Sequence, residues 1–170
     1  MLKNEFVELK PISNKDTEFV LSLRNNIELS NNFFSDPPVY DHEHNNWLNK
    51  RNSEDLDFII LNSENVKTGR IIISNLDFRN QKCEYGIMIH PHYQRKGYGY
   101  QASSILIEYV FTNLPINKIF LEVFEKNNGA KILYEKLGFI NEGLLIEEYY
   151  KCGVFQNTYR MALLKNNWLK

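Results

Sequence analysis

The sequence predicts an α/β domain built on one mixed sheet, and three observations carry that expectation. Three apolar, β-branched runs follow one another at 57–61, 67–74 and 82–90. Turn signals part them, first Asn62-Ser63-Glu64-Asn65 and then residues 75–81. Helical and strand-like patterns then alternate from 98 to 141. The chain closes on two further strand-like runs, 144–151 and 155–164, which read as a hairpin around Lys151-Cys152-Gly153-Val154. Strands first, then strands alternating with helices, is the order of a mixed sheet.

The other elements follow in order. Residues 6–11 alternate apolar and polar, as a strand does. Residues 16–26 carry Phe19, Val20 and Leu23 at helical spacing, with Asp16 suited to the first turn. Phe33, Phe34, Pro37 and Pro38 make 31–40 an irregular loop. Residues 41–52 read as a polar helix around Trp47 and Leu48, 98–111 as an apolar helix, and 117–124 as a strand. In 127–137, Asn127 is a good N-cap and Ala130, Leu133, Tyr134 and Leu137 share one face. Gly138 stands where a C′ glycine belongs, and Phe139 resumes an apolar strand. With no linker, repeat or low-complexity stretch, residues 1–170 read as a single domain.

The 170 residues are 43% hydrophobic and 24% charged, enough for one proper core. A net charge of −1 gives no field for nucleic acid. No apolar run approaches the roughly 18 residues of a membrane span, and the N-terminus does not resemble a signal peptide. The expectation is therefore a cytoplasmic protein with neither a nucleic-acid nor a membrane partner. Cys83 and Cys152 form no disulfide framework, and Cys83 reads as a small buried residue. The pairs His42/His44 and His90/His92 lack further ligands at suitable spacing, so no metal is expected.

The most informative segment is Gln94-Arg95-Lys96-Gly97-Tyr98-Gly99. It joins the apolar run Tyr85-Gly86-Ile87-Met88-Ile89 to the helix that starts near Tyr98. Glycines let backbone N–H groups approach a ligand, the helix dipole is positive at that end, and Arg95 and Lys96 add charge. Such a loop suits a pyrophosphate; it also suits an ordinary strand-to-helix turn. It is not a Walker A loop, because no Gly-Lys-Ser/Thr closes it, and Ala102 breaks a strict G-x-G-x-x-G.

Together with Asn127-x-x-Ala130-x-x-x-Tyr134-x-Lys136-x-Gly138-Phe139, this loop resembles the GNAT superfamily of acetyl-CoA-dependent N-acetyltransferases. Within it, the likeness is greatest to the branch of bacterial spermidine/spermine and ribosomal-protein N-terminal acetyltransferases. The resemblance covers nearly the whole chain. It implies a mostly antiparallel, twisted sheet flanked by helices, with splayed central strands forming an acetyl-CoA cleft. It also implies a homo-oligomer, a dimer or larger ring.

The same resemblance assigns roles. Gln94, Arg95, Lys96, Gly97, Tyr98 and Gly99 would hold the pyrophosphate. Backbone groups of Ile87, Met88 and Ile89 would hold the pantetheine arm, with Asn127 on its amides and Lys131 and Lys136 toward the nucleotide. Tyr134 would stand beside the cofactor sulfur as general acid; by spacing alone it reads first as a core aromatic. Glu84 shares a strand face with Gly86 and Met88 and is the candidate base, or else a solvated strand-end carboxylate. Asp36, Asp41 and Glu43, with Glu84, would draw a cationic small-molecule amine. A polyamine is the first expectation. An amino sugar nucleotide, a protein N-terminus or a non-catalytic acetyl-CoA sensor are the alternatives. The loop at 34–39 carries fewer carboxylates than the polyamine branch does, and Asn75 stands where that branch places an acid.

Overall fold

The computed structural model describes residues 2–50 and 54–168. Its strands are β1 (Val7–Pro11), β2 (Leu56–Asn62), β3 (Lys67–Asp77), β4 (Lys82–Ile89), β5 (Lys118–Phe124), β6 (Ile140–Lys151) and β7 (Val154–Leu164). They form one sheet in the order β1-β2-β3-β4-β5-β7-β6. Every neighbouring pair is antiparallel except β4 and β5. The helices are α1 (Thr17–Arg24), α2 (Ile27–Ser30), α3 (Asp41–Lys50), α4 (Tyr98–Asn113), α5 (Asn128–Lys136) and α6 (Lys165–Trp168). The α/β class and the mixed, mostly antiparallel sheet expected from the sequence are both present. The expected helix at 16–26 is a 3-10 turn at Asn14–Asp16 running into α1. The short helices α2 and α6 were not foreseen, and the expected end of α3 at 51–52 lies outside the described residues.

Side-chain alternation gives the sheet two working faces. On one, α4 buries Ala102, Leu106, Ile107, Val110 and Phe111 against Ile71, Ile73, Cys83, Tyr85, Ile119 and Leu121. Each such aliphatic side chain stabilises the fold by roughly 1.5–3 kcal/mol when it leaves water. On the other, Val20 of α1 meets Ile59, Leu61 and Ile12, with Phe19 and Leu48 beside them. β3 and β4 lie very close at one point: a Cβ on Gly69 would sit 2.3 Å from the Met88 carbonyl oxygen. Only glycine fits there, directly behind the strand that lines the cleft.

A buried ion pair fixes α3 over β2 and β3. The Arg70 guanidinium donates to both Asp57 carboxylate oxygens, Nε at 2.9 Å and Nη2 at 2.8 Å. The Trp47 ring covers it, 4.7 Å away. His44, beside Trp47, has 0% exposure, and neither ring nitrogen has a hydrogen-bond partner among the described residues.

Burial holds the His44 pKa below the ordinary value; the Arg24 and Arg70 charges push the same way, and Asp57 and Asp41 oppose them. The unfolded chain therefore binds a proton that the folded one rejects. Stability is present above the unfolded pKa, about 6.5, and falls as pH drops through it. Urea titrations between about pH 7.5 and 5.5 should show a loss for the parent approaching at most ~1.4 kcal/mol per pH unit from this one proton. His44→Leu should flatten that slope, and an unchanged slope in the folded variant would remove His44 as its source.

Candidate active site

The site begins where the sheet comes apart. β4 pairs with β5 only over Lys82↔Lys118, Cys83↔Ile119 and Glu84↔Phe120. Beyond Glu84, residues 85–89 pair with β3 alone and residues 121–124 with β7 alone. One edge of each strand thus borders a wedge-shaped gap in the middle of the sheet, with half-buried Gly86, Ile87, Met88 and Ile89 along it. Unpaired strand edges hydrogen-bond extended ligands as readily as they do another strand.

At the head of the gap the chain passes through a 3-10 turn, Pro91–Tyr93, into the loop before α4. The Gln94 side-chain amide donates back to the Ile89 carbonyl at 3.1 Å and holds this loop against the end of β4. Arg95 has φ 59 and Gly97 φ 87, two left-handed residues within three. Alternation of that kind turns successive N–H groups to one side as an anion nest. Gly97 is also the N-cap of α4 and brings no side chain to it, so the amides of the first turn stay free. The second glycine, Gly99, has ordinary helical backbone; a Cβ there would approach Leu133 at 3.4 Å. Lys96 lies over the Tyr93 ring at 5.4 Å and Lys136 over the Tyr100 ring at 4.7 Å, which places both ammonium groups near the start of α4. The donor set fits a diphosphate.

Tyr134 reaches the gap from the α4 face. Its ring is 7% exposed and packs edge-on to Tyr85 at 6.0 Å and beside Phe139 at 5.9 Å. The hydroxyl donates to no protein group among the described residues. Burial pushes the phenol well above its ordinary pKa, so it stays protonated at neutral pH. Tyr85 donates to Ser103 Oγ at 2.5 Å, and Ser103 donates to the Gly99 carbonyl at 2.6 Å. That buried hydroxyl chain ties β4 to the phosphate-side turn of α4. Asn127 caps α5, its Oδ1 accepting the Ala130 N–H at 3.2 Å, which leaves its amide NH2 for a ligand.

Glu84, the last residue of β4 to have a β5 partner, faces the opposite side of the sheet. Asn75 Nδ2 donates to its carboxylate at 2.6 Å, and it makes no ion pair among the described residues. Five residues not foreseen in the sequence gather on this face. Tyr149 donates to Glu122 at 3.2 Å, and Arg160 pairs with the other Glu122 oxygen. Phe34 stacks on Tyr149, centroids 4.2 Å apart and planes 16° apart, and meets Phe124 edge-on at 4.9 Å. Burial pushes the Tyr149 phenol up to about 12, with help from the charges of Glu122, Glu148 and Glu84. An aromatic wall beside carboxylates is a surface for an alkylammonium ion.

Several expected residues are engaged within the protein. Lys131 donates to the Glu125 carbonyl at 3.3 Å and sits over Tyr159 at 4.8 Å, away from the phosphate-side loop. Asp36 is 2.7 Å from the Lys151 ammonium. Glu43 caps α3, accepting the Tyr40 N–H at 2.9 Å. Asp41 and Glu43 act electrostatically on His44 and Arg24 respectively, not on Tyr149. Cys83 is wholly buried and its thiol is pushed up to about 12 by desolvation, which makes it inert. Among the described residues no three His, Cys, Asp or Glu side chains are grouped to hold a metal ion, and no helix is long and apolar enough to cross a membrane.

A sheet split between a parallel pair, an anion nest at the head of the gap and a protonated tyrosine beside it define an acetyl-CoA-dependent N-acetyltransferase. The chain belongs to that family: the acetyltransferase (GNAT) domain model matches residues 7–140. Its acyl donor is acetyl-CoA. The crystal structure of spermidine N-acetyltransferase from Vibrio cholerae in complex with CoA and spermine superposes with a TM-score of 0.92 at 28% identity, covering 98% of this chain and 100% of that one. The spermidine N(1)-acetyltransferase of Escherichia coli K12 is 28% identical over 96% of this chain and 88% of its own length. A putative ribosomal N-acetyltransferase of Bacillus subtilis is 31% identical, over 59% of this chain and 55% of its own length.

Proposed function

We propose that the protein transfers the acetyl group of acetyl-CoA to a primary amine of a polyamine such as spermidine, by direct attack within a ternary complex. The observation that carries this reading is the face of Glu84, whose carboxylate has no ion pair among the described residues and whose charge acts on Tyr149, the ring that stacks on Phe34 beside Phe124. A flexible polycation gains there from charge and from ring faces together. The relatives named for spermidine match nearly the full length of the chain, which supports the same acceptor. A cytoplasmic setting belongs to this reading. So does a homo-oligomer, which the apolar side chains left exposed along β6 and β7, among them Ile146, Tyr150 and Phe155, would favour.

The thioester supplies an activated acyl group. The nest at 95–97 and the first turn of α4 bind the diphosphate, and the free edge of β4 orients the arm that carries the acyl group. The acceptor arrives as an ammonium of pKa about 10 and must lose a proton to become a nucleophile. Glu84 takes that proton, directly or through water. Tyr134 gives its own proton to the departing thiolate from the other side of the sheet. Burial keeps its phenol protonated at neutral pH before the step, and the acceptor's proton can restore it afterwards.

The assay that tests the acceptor is thiol release over a panel of amines. Spermidine and spermine should turn over, with rates that fall as salt rises if charge steers them. Acetylation of peptide N-termini and of no polyamine would overturn the assignment. Tyr134→Phe keeps the ring and nearly all its volume, so stability and acetyl-CoA affinity should hold while kcat falls by roughly 10²-fold. Turnover within about twofold of the parent would reduce Tyr134 to a core aromatic.

A further inference from the structure

The segment between α2 and α3, residues 31–40, has no regular structure, yet it delivers Phe34 to the wall of the acceptor face. Its ends are tied to its own neighbourhood. Asn32 and Phe33 bond back to α2, and Asn25 clamps Val39 through both backbone groups at 2.9 and 2.7 Å. The middle is held differently. Lys151, the last residue of β6, donates to the Ser35 carbonyl at 3.1 Å and to the Asp36 carboxylate at 2.7 Å. Its side chain is only 6% exposed, whereas that of Asp36 is 66% exposed.

That asymmetry decides which partner needs the other. A buried ammonium must be paired, because its hydration is gone. An exposed carboxylate keeps water on its open side. Lys151 is therefore the anchored member and Asp36 the tether by which it draws in the loop. Lys151 and Tyr149 are two apart on β6 and share a strand face. The ammonium thus holds residues 35 and 36 at the place that lays Phe34 flat on Tyr149.

We propose that Lys151 is a positioning residue for the acceptor: its ammonium pins the 33–38 segment so that Phe34 completes the aromatic wall, and Asp36 serves Lys151 rather than the incoming amine. This rests on the reading of the Glu84 face as the acceptor site. The opposite role for Asp36, direct contact with the substrate, predicts the opposite sign. Removing Lys151 would then free a carboxylate and tighten acceptor binding.

The test is Lys151→Met in steady-state acetylation of spermidine, with hydrogen exchange of the amine-free protein alongside. The spermidine KM should rise roughly tenfold, with kcat and the acetyl-CoA KM within about twofold of the parent. Exchange should quicken across 33–38 and stay unchanged across β4 and α4. Lys151→Arg, which keeps a cation, should recover most of the affinity. An unchanged or lowered spermidine KM in folded Lys151→Met overturns the proposal. If that variant does not fold, Asp36→Asn on the exposed side replaces it, and parental exchange across 33–38 then overturns the proposal. Failure of the parent to acetylate any amine would count against the acceptor reading, while the exchange data would still decide whether Lys151 pins the loop.

Discussion

The molecule depends on one interruption of hydrogen bonding. A parallel pair that closes over three residues and then opens leaves β4 and β5 with free polar edges in the centre of the sheet. Buried backbone groups left without partners are costly, so such a gap survives only where water or a ligand satisfies them. The two halves on either side are internally complete, β1 to β4 on one flank and β5 to β7 on the other. The α4 helix packs over β1 to β4, and Leu106, Val110 and Phe111 share one core with Ile119 and Leu121 of β5. The loop before α4 sits at the head of the gap because the chain must climb from β4 into that helix.

The two faces of the split sheet divide the chemistry. Tyr134 lies on the α4 face among Tyr85 and Phe139, in surroundings that keep a phenol neutral. Glu84 lies on the other face, bonded by Asn75, and its charge acts on Tyr149. Residues 84 and 85 are neighbours in the chain, and a strand sends neighbours to opposite sides. An acid and a base can thus flank one opening without touching, so neither quenches the other.

Much of this was legible in the sequence because it is local. The strand, loop and helix start at 85–99 lie within one short stretch, and so does the cap–helix–glycine pattern of 127–139. Strand alternation placed Glu84 on the face of Gly86 and Met88, and the register with β3 agrees. The same alternation in β5 sets Phe120, Glu122 and Phe124 opposite Ile119, Leu121 and Val123, so Glu122 was readable in principle. Phe34 was not, since an irregular loop has no period. The pairing of Asp36 was not readable for a related reason: its cation, Lys151, stands 115 residues away. Helix α2 escaped notice because four residues give no periodicity; it rests on its cap, with Leu29 N–H donating to Asn26 at 3.1 Å.

The central claim is that the donor lies in the gap between β4 and β5 with its diphosphate on the nest before α4. Residue-resolved hydrogen exchange with and without coenzyme A tests it most directly. The account predicts new protection within residues 86–89 and 95–100, with β1, β2 and the α1–α3 region unchanged. Protection confined to that N-terminal region, or no change along β4 under saturating coenzyme A, would contradict it.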